Sequence, residues 1–149
     1  MAIELERLGT DLWLLDPVDR ANDRNGSGDL QLTLRQGVDL ATVSGVENME
    51  QALLLRFLTP RGTLEILGHP EYGSRLHTLI GELNNETNRN RAKLYVLEAI
   101  AQEPRISRVL AINVTTNRRA TPDQIDIELS AEVAESEQIV NMVFPFFLR

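Results

Sequence analysis

The sequence predicts an α+β fold in which a C-terminal antiparallel β-meander packs against two longer helices. Three observations predict it. Near the C-terminus Ile125, Ile127, Leu129, Ala131 and Val133 alternate without a break against Asp126, Glu128, Ser130 and Glu132, which is the period of a half-buried strand. Two earlier stretches space their apolar residues at three and four instead, the period of an amphipathic helix. Short polar turns separate the last strands, and the apolar face of the resulting sheet needs a cover that the two helices can supply.

Taken in order, residues 1–29 read as a flexible segment. Leu12, Trp13, Leu14 and Leu15 form a short apolar patch, and the polar run 19–29, with Asn25-Gly26-Ser27-Gly28, buries little and turns easily. Trp13 is either a core residue or an anchor on a partner. Residues 30–35 alternate Leu30, Leu32, Leu34 with Gln31, Thr33, Arg35 and read as a strand. A connection over 37–45 follows, with short extended pieces.

Ser44 is placed to cap a helix from about Val46, with Glu47 in the first turn where the dipole favours an acid. Val46, Met49, Leu53 and Phe57 line one face, and Pro60 and Gly62 stop the helix. Residues 63–67 read as extended, 69–73 as a turn, and 74–80 as a short helix ended by Gly81. A second long helix is expected over 87–102, with Ala92, Tyr95, Val96, Ala99 and Ile100 apolar. Pro104 ends it and pushes Glu103 toward extended geometry.

Leu110, Ile112 and Val114 then alternate as a strand, and 117–123 is a polar turn. After the acidic strand and a tight turn at 135–137, Val140, Met142, Phe144 and Phe146 alternate again. The expected organisation is therefore a flexible segment, 1–29, followed by one α+β domain, 30–149, with its sheet over 106–147.

A chain of 149 residues with a net charge of −7 suits one domain and argues against a broad phosphate-binding surface, so no nucleic-acid partner is expected. Arg89, Arg91 and Lys93 are a local basic run that reads as a solvated helix face or a small patch. With no cysteine, disulfides, thiolate metal sites and cysteine nucleophiles are all excluded. The acidic N-terminus does not resemble a signal peptide, and no apolar stretch is long enough to span a membrane.

The chemistry-bearing residues are few. There is no phosphate-binding glycine loop, no nucleophile elbow and no zinc-type histidine spacing. His69, His77 and Glu71 could in principle form a three-ligand metal site, but ordinary surface roles explain them as well. Asp126, Glu128 and Glu132 project from the open face of one strand, which suits a solvated or partner-facing surface better than a closed catalytic cleft. Glu103 and Arg105, two apart in extended geometry, point the same way. They either fix the angle between helix and sheet or form a contact site for another subunit. Val140, Met142, Phe144, Phe146 and Phe147 are core, or an interface where exposed. No catalytic, cofactor-binding or metal residue is assigned.

Several segments between residues 37 and 114 resemble a known family. They are Asp39-Leu40 with Val43-Ser44-Gly45, 48–52 (Asn-Met-Glu-Gln-Ala), 56–62 (Arg-Phe-Leu-Thr-Pro-Arg-Gly), 69–74 (His-Pro-Glu-Tyr-Gly-Ser) and Glu103-Pro104-Arg105-Ile106. In this order and spacing they resemble the baseplate wedge family of contractile tails. That family includes a phage subunit once called tail lysozyme and baseplate subunits of type VI secretion systems and extracellular injection particles. The resemblance implies a non-enzymatic structural protein with no cofactor, present as six copies in a ring around the tube. It implies contacts with the sheath protein and with other wedge subunits, assembly in the cytoplasm, and a final place in the tail baseplate. It further implies a C-terminal sheet similar to the interlocking domain of the sheath protein, able to start sheath assembly by accepting an extended arm. The partner-binding residues expected on this reading are Glu103, Arg105, Asp126, Glu128, Glu132 and Phe146. The alternative is a tail-associated peptidoglycan hydrolase.

Overall fold

A computed structural model describes residues 8–14, 32–33, 39–116 and 121–148. The expected mobile loop over 19–29 and most of the strand expected over 30–35 lie outside them. The chain divides into two compact units, Met1–Ala52 and Leu53–Arg149, with the boundary inside a helix.

The first unit contains two small antiparallel pairs. Strand β1 (Thr10–Leu12) pairs with β4 (Thr42–Ser44), and β2 (Leu32–Thr33) pairs with β3 (Asp39–Leu40). Strand β1 is a finding beyond the sequence reading, because three residues are too few for an alternation to show. Side chains of the following helix hold its backbone. Asn48 Nδ2 donates to Leu8 O at 2.8 Å, and Gln51 Nε2 donates to Leu12 O at 2.9 Å while its Oε1 accepts from Leu14 N. Trp13 is half-buried, and its backbone N–H donates to Ala41 O.

Helix α1 (Gly45–Leu58) buries Met49, Leu53 and Phe57, as its spacing predicts, and stops before Pro60. In the second unit, the expected extended piece at 63–67 is a turn leading into the 3-10 helix Glu65–Leu67, a correction to the sequence reading. Its end is set by Gly68 at φ 84°, a left-handed conformation that glycine adopts without strain. Gly73 has a different constraint: a Cβ there would lie 2.5 Å from Thr59 O. The loop base can therefore close only over glycine, through Ser74 N–H donating to Thr59 O and Arg61 N–H to Ser74 O. The short helix expected over 74–80 is a 3-10 helix, Leu76–Leu79.

Helix α2 (Glu86–Ile100) starts at Asn85, whose side chain accepts from Asn88 N at 2.8 Å. It buries Asn88, Ala92, Val96, Ala99 and Ile100. The chain then enters a three-stranded antiparallel sheet of β5 (Ile106–Thr115), β6 (Gln124–Val133) and β7 (Ile139–Phe147), in that spatial order. The fold is thus α+β. Beneath the sheet, α2 lies against β5, and the end of α1 reaches β7, where Phe57 and Phe144 stack with ring centroids 5.4 Å apart.

Candidate functional site

The central strand sets the geometry. On its inner face Ile125, Ile127, Leu129, Ala131 and Val133 are all buried. Period two then forces Asp126, Glu128, Ser130 and Glu132 onto the outer face. The register places Thr115 and Pro145 beside Asp126, Asn113 and Val143 beside Glu128, and Arg108 and Ile139 beside Glu132. Glu132 accepts from Arg108 Nε at 2.6 Å, and Asp126 accepts from Gln124 Nε2 at 2.6 Å. None of the four residues flanking Asp126 and Glu128 across the sheet is a cation, so no register neighbour offsets the charge of these two acids.

Strand β5 departs from simple alternation. Its register to β6 shifts between Ile106 and Arg108 and again between Val109 and Ala111. Ser107 and Leu110 are the extra residues of two β-bulges. Leu110, read as part of the apolar face, is therefore 44% exposed. On β7, Phe146 shares the even positions with Val140, Met142 and Phe144, all turned inward and buried. Although expected among the partner-facing residues, its side chain belongs to the core, because an even position on this strand faces the apolar layer.

Glu103 and Arg105 stand where α2 gives way to β5. Glu103 is only 4% exposed. Its Oε1 accepts from Arg105 Nε at 2.7 Å and from the Arg105 backbone N–H at 3.3 Å. Its Oε2 accepts from Arg105 Nη2 at 3.1 Å and from Arg56 Nη2 at 3.0 Å. Burial alone would raise the Glu103 pKa, but the hydrogen bonds and charge of Arg105, with the charge of Arg56, outweigh it and hold the carboxyl below the usual range. Arg105 is correspondingly raised, mainly by its hydrogen bond to Glu103. Two guanidinium groups thus share one buried carboxylate.

Arg56 is the member of this cluster that the sequence reading did not pick out. The clue was a cation inside the otherwise apolar end of α1, since a buried arginine must find a partner. Its guanidinium also lies over the Tyr72 ring, 4.6 Å from the centroid. Beside it is an open cavity of about 340 Å³ lined by Arg56, Gly68, His69, Pro70, Glu71, Tyr72 and Gln102. Glu71, the one carboxylate in its lining, pairs with Arg61. His77 instead meets Ser74 O through Nδ1. Among the described residues no group of His, Asp and Glu is placed to hold a metal ion, and no helix is long and apolar enough to cross a membrane.

Comparison with known proteins agrees with this architecture. A solved protein from Geobacter sulfurreducens, provisionally named a tail lysozyme, superimposes with a TM-score of 0.58 at 26% sequence identity, covering 69% of this chain and 90% of its own. Among curated proteins none matches. The family model for contractile injection system sheath initiators matches residues 22–135, from between β1 and β2 through the whole of β6. The chain belongs to the contractile injection system sheath initiator family.

Proposed function

We propose that this chain is a non-catalytic baseplate subunit that starts the sheath by adding a strand from a sheath subunit to its C-terminal sheet. Six copies would form a ring around the tube, joined to other wedge subunits, assembled in the cytoplasm and retained in the finished particle. The observation that carries the reading, beside family membership, is the three-stranded sheet itself. Among the described residues its order β5-β6-β7 places β5 and β7 at the edges, and an edge strand is the surface to which a neighbour's extended segment adds through backbone hydrogen bonds. The acids Asp126, Glu128 and Glu132 would favour a basic arm and disfavour an acidic one.

Glu103 and Arg105 enter this reading unequally. The carboxylate of Glu103 is enclosed by its two arginines. Arg105, with its side chain 35% exposed, presents the accessible side of the cluster to a wedge neighbour. Arg105→Ala is expected to leave a folded chain by circular dichroism and thermal melting, yet to reduce its recovery in purified baseplates. Loss of the folded state instead would show the cluster to be internal scaffolding only.

The name of the Geobacter sulfurreducens neighbour suggests a second reading, cell-wall hydrolysis. Glycosidic cleavage needs two carboxyl groups facing one bond across a cleft, and the cavity beside Arg56 has one carboxylate, already paired. Incubation of the purified chain with peptidoglycan is expected to release no fragments; turnover abolished by changing a single acid would replace the structural reading.

A further inference from the structure

The two rims of the C-terminal sheet are not equivalent. Val133 N–H donates to Gln138 O at one end of the β6–β7 pair, and Leu148 N–H donates to Asp123 O at the other. The register between them is unbroken, so hydrogen-bonded positions on β7 are the even ones. The odd residues Ile139, Asn141, Val143, Pro145 and Phe147 turn their backbone outward. Pro145 has no N–H, so this rim lacks one donor in its middle, as edge strands protected against pairing often do.

On β6 the odd residues serve β7 and the even ones serve β5. Thr115, Asn113 and Ala111 therefore face β6, and Ile112 and Val114 direct their N–H and C=O groups outward. Among the described residues no backbone group meets these two from outside. Apolar cover tells the rims apart as well. Val140, Met142, Phe144 and Phe146 on β7 are buried, whereas Ile112 and Val114 on β5, facing the same inner layer, are only half-buried. Leu97 on α2, the helix against β5, and Leu110 on β5 add further exposed apolar surface. On the opposite face the register neighbours of Asn113 and Thr115 on β6 are Glu128 and Asp126, neither with a cation across the sheet.

We infer that the incoming strand adds along the outer rim of β5, at Ile112 and Val114, and that it alternates apolar residues toward the inner layer with basic residues toward Asp126 and Glu128. This rests on the strand-addition reading above and names its edge and the chemistry of its arm. The occupant is a segment of a different chain, because two copies of β5 brought rim to rim would set their acidic faces side by side.

The test is amide hydrogen exchange of the full chain, alone and mixed with the sheath subunit of the same machine. Ile112 and Val114 amides are expected to slow by at least about 10-fold on mixing, with Ile139 and Asn141 unchanged. Slowing at Ile139 and Asn141 instead would overturn the assignment to β5 and leave strand addition standing. Binding without slowing at either rim would remove both. Slow Ile112 and Val114 amides in the chain alone, together with a dimer in solution, would make a second copy the occupant and overturn the inference. The double change Asp126→Asn, Glu128→Gln preserves side-chain size and is expected to weaken sheath binding about 10-fold at low salt and to flatten its salt dependence; unchanged affinity would overturn the basic arm.

Discussion

The β7 side and the β5 side of the sheet turn similar side chains toward the same apolar layer and cover them differently. On β7 four consecutive inward residues are buried, and Phe144 stacks on Phe57. On β5 the inward residues are half-buried, and two bulges interrupt the strand. Where apolar area is fully enclosed it contributes to stability roughly in proportion to that area. Where it is half-covered the contribution is smaller, and the remainder is available to a partner. The difference separates two tasks within one sheet. On the proposed strand-addition reading, the β6–β7 side holds the fold, and the β5 side, anchored at its start by the Arg56–Glu103–Arg105 cluster, receives the partner.

The largest expected effect tests the packed side. Phe144→Ala removes a ring from a fully enclosed site and should cost about 4 kcal/mol of stability, as large-to-small changes in cores do. Ile112→Ala, at a half-buried position on β5, should cost only about 1–2 kcal/mol. Chemical denaturation of both variants decides the matter. Equal losses would break the comparison, since both rims would then be equally part of the core.

Much of the fold could be read from the residues, though not this contrast in cover, and the exceptions have physical causes. The alternation on β6 runs ten residues with acids on one face, so strand, faces and core follow directly. The long helices were legible from spacing, although Asn85 as the cap of α2 was not assigned. The faces of β5 were legible from Ala111 onward, where Ile112 and Val114 turn inward as their alternation predicts, but not at Leu110 and before it, because an inserted residue at Ser107 and another at Leu110 break the period. Strand β1 has three residues, below the length at which a period exists, whereas β2 lies within the strand expected over 30–35 and β3 and β4 within the short extended pieces expected over 37–45. Residues 63–67 read as extended, but Gly62 and Gly68, both at positive φ, bracket a tight turn there. The Arg56–Glu103 pair joins residues 47 apart, and no local pattern announces such a contact. Of the candidate contact residues, the outward acids were placed correctly by period two, whereas that same period sends Phe146 inward.

The cluster that anchors β5 is the next place to press. Glu103→Gln leaves two guanidinium cations without their shared counter-charge, one of them on the buried Arg56, and should cost about 3 kcal/mol. It should also change the response to acid. Because the folded chain holds the Glu103 carboxyl below its ordinary range, the contribution of that group is complete above the unfolded carboxylate pKa. It is lost as pH falls through the lower, folded value. Thermal melts between about pH 6 and pH 3 should therefore fall less steeply for Glu103→Gln than for the wild-type chain. Parallel curves would mean that β5 is not held by this charge.

The smallest expected effect lies on the outer face of β5 itself. Arg108, 70% exposed at the side chain, pairs with Glu132 at 2.6 Å, and an exposed pair of this kind contributes at most about 1 kcal/mol. Arg108→Ala should therefore leave the melting temperature nearly unchanged while extending the acidic stripe from Asp126 and Glu128 to an uncompensated Glu132. If the β5 side serves assembly, the variant should bind sheath subunits at least as tightly as the wild-type chain at low salt, the added acidity favouring a basic arm. A marked loss of stability would place Arg108 among the residues that hold the bulged strand to β6. The division between a structural β7 side and an assembling β5 side would then have to be drawn past β5, at Leu97 and the exposed flank of α2.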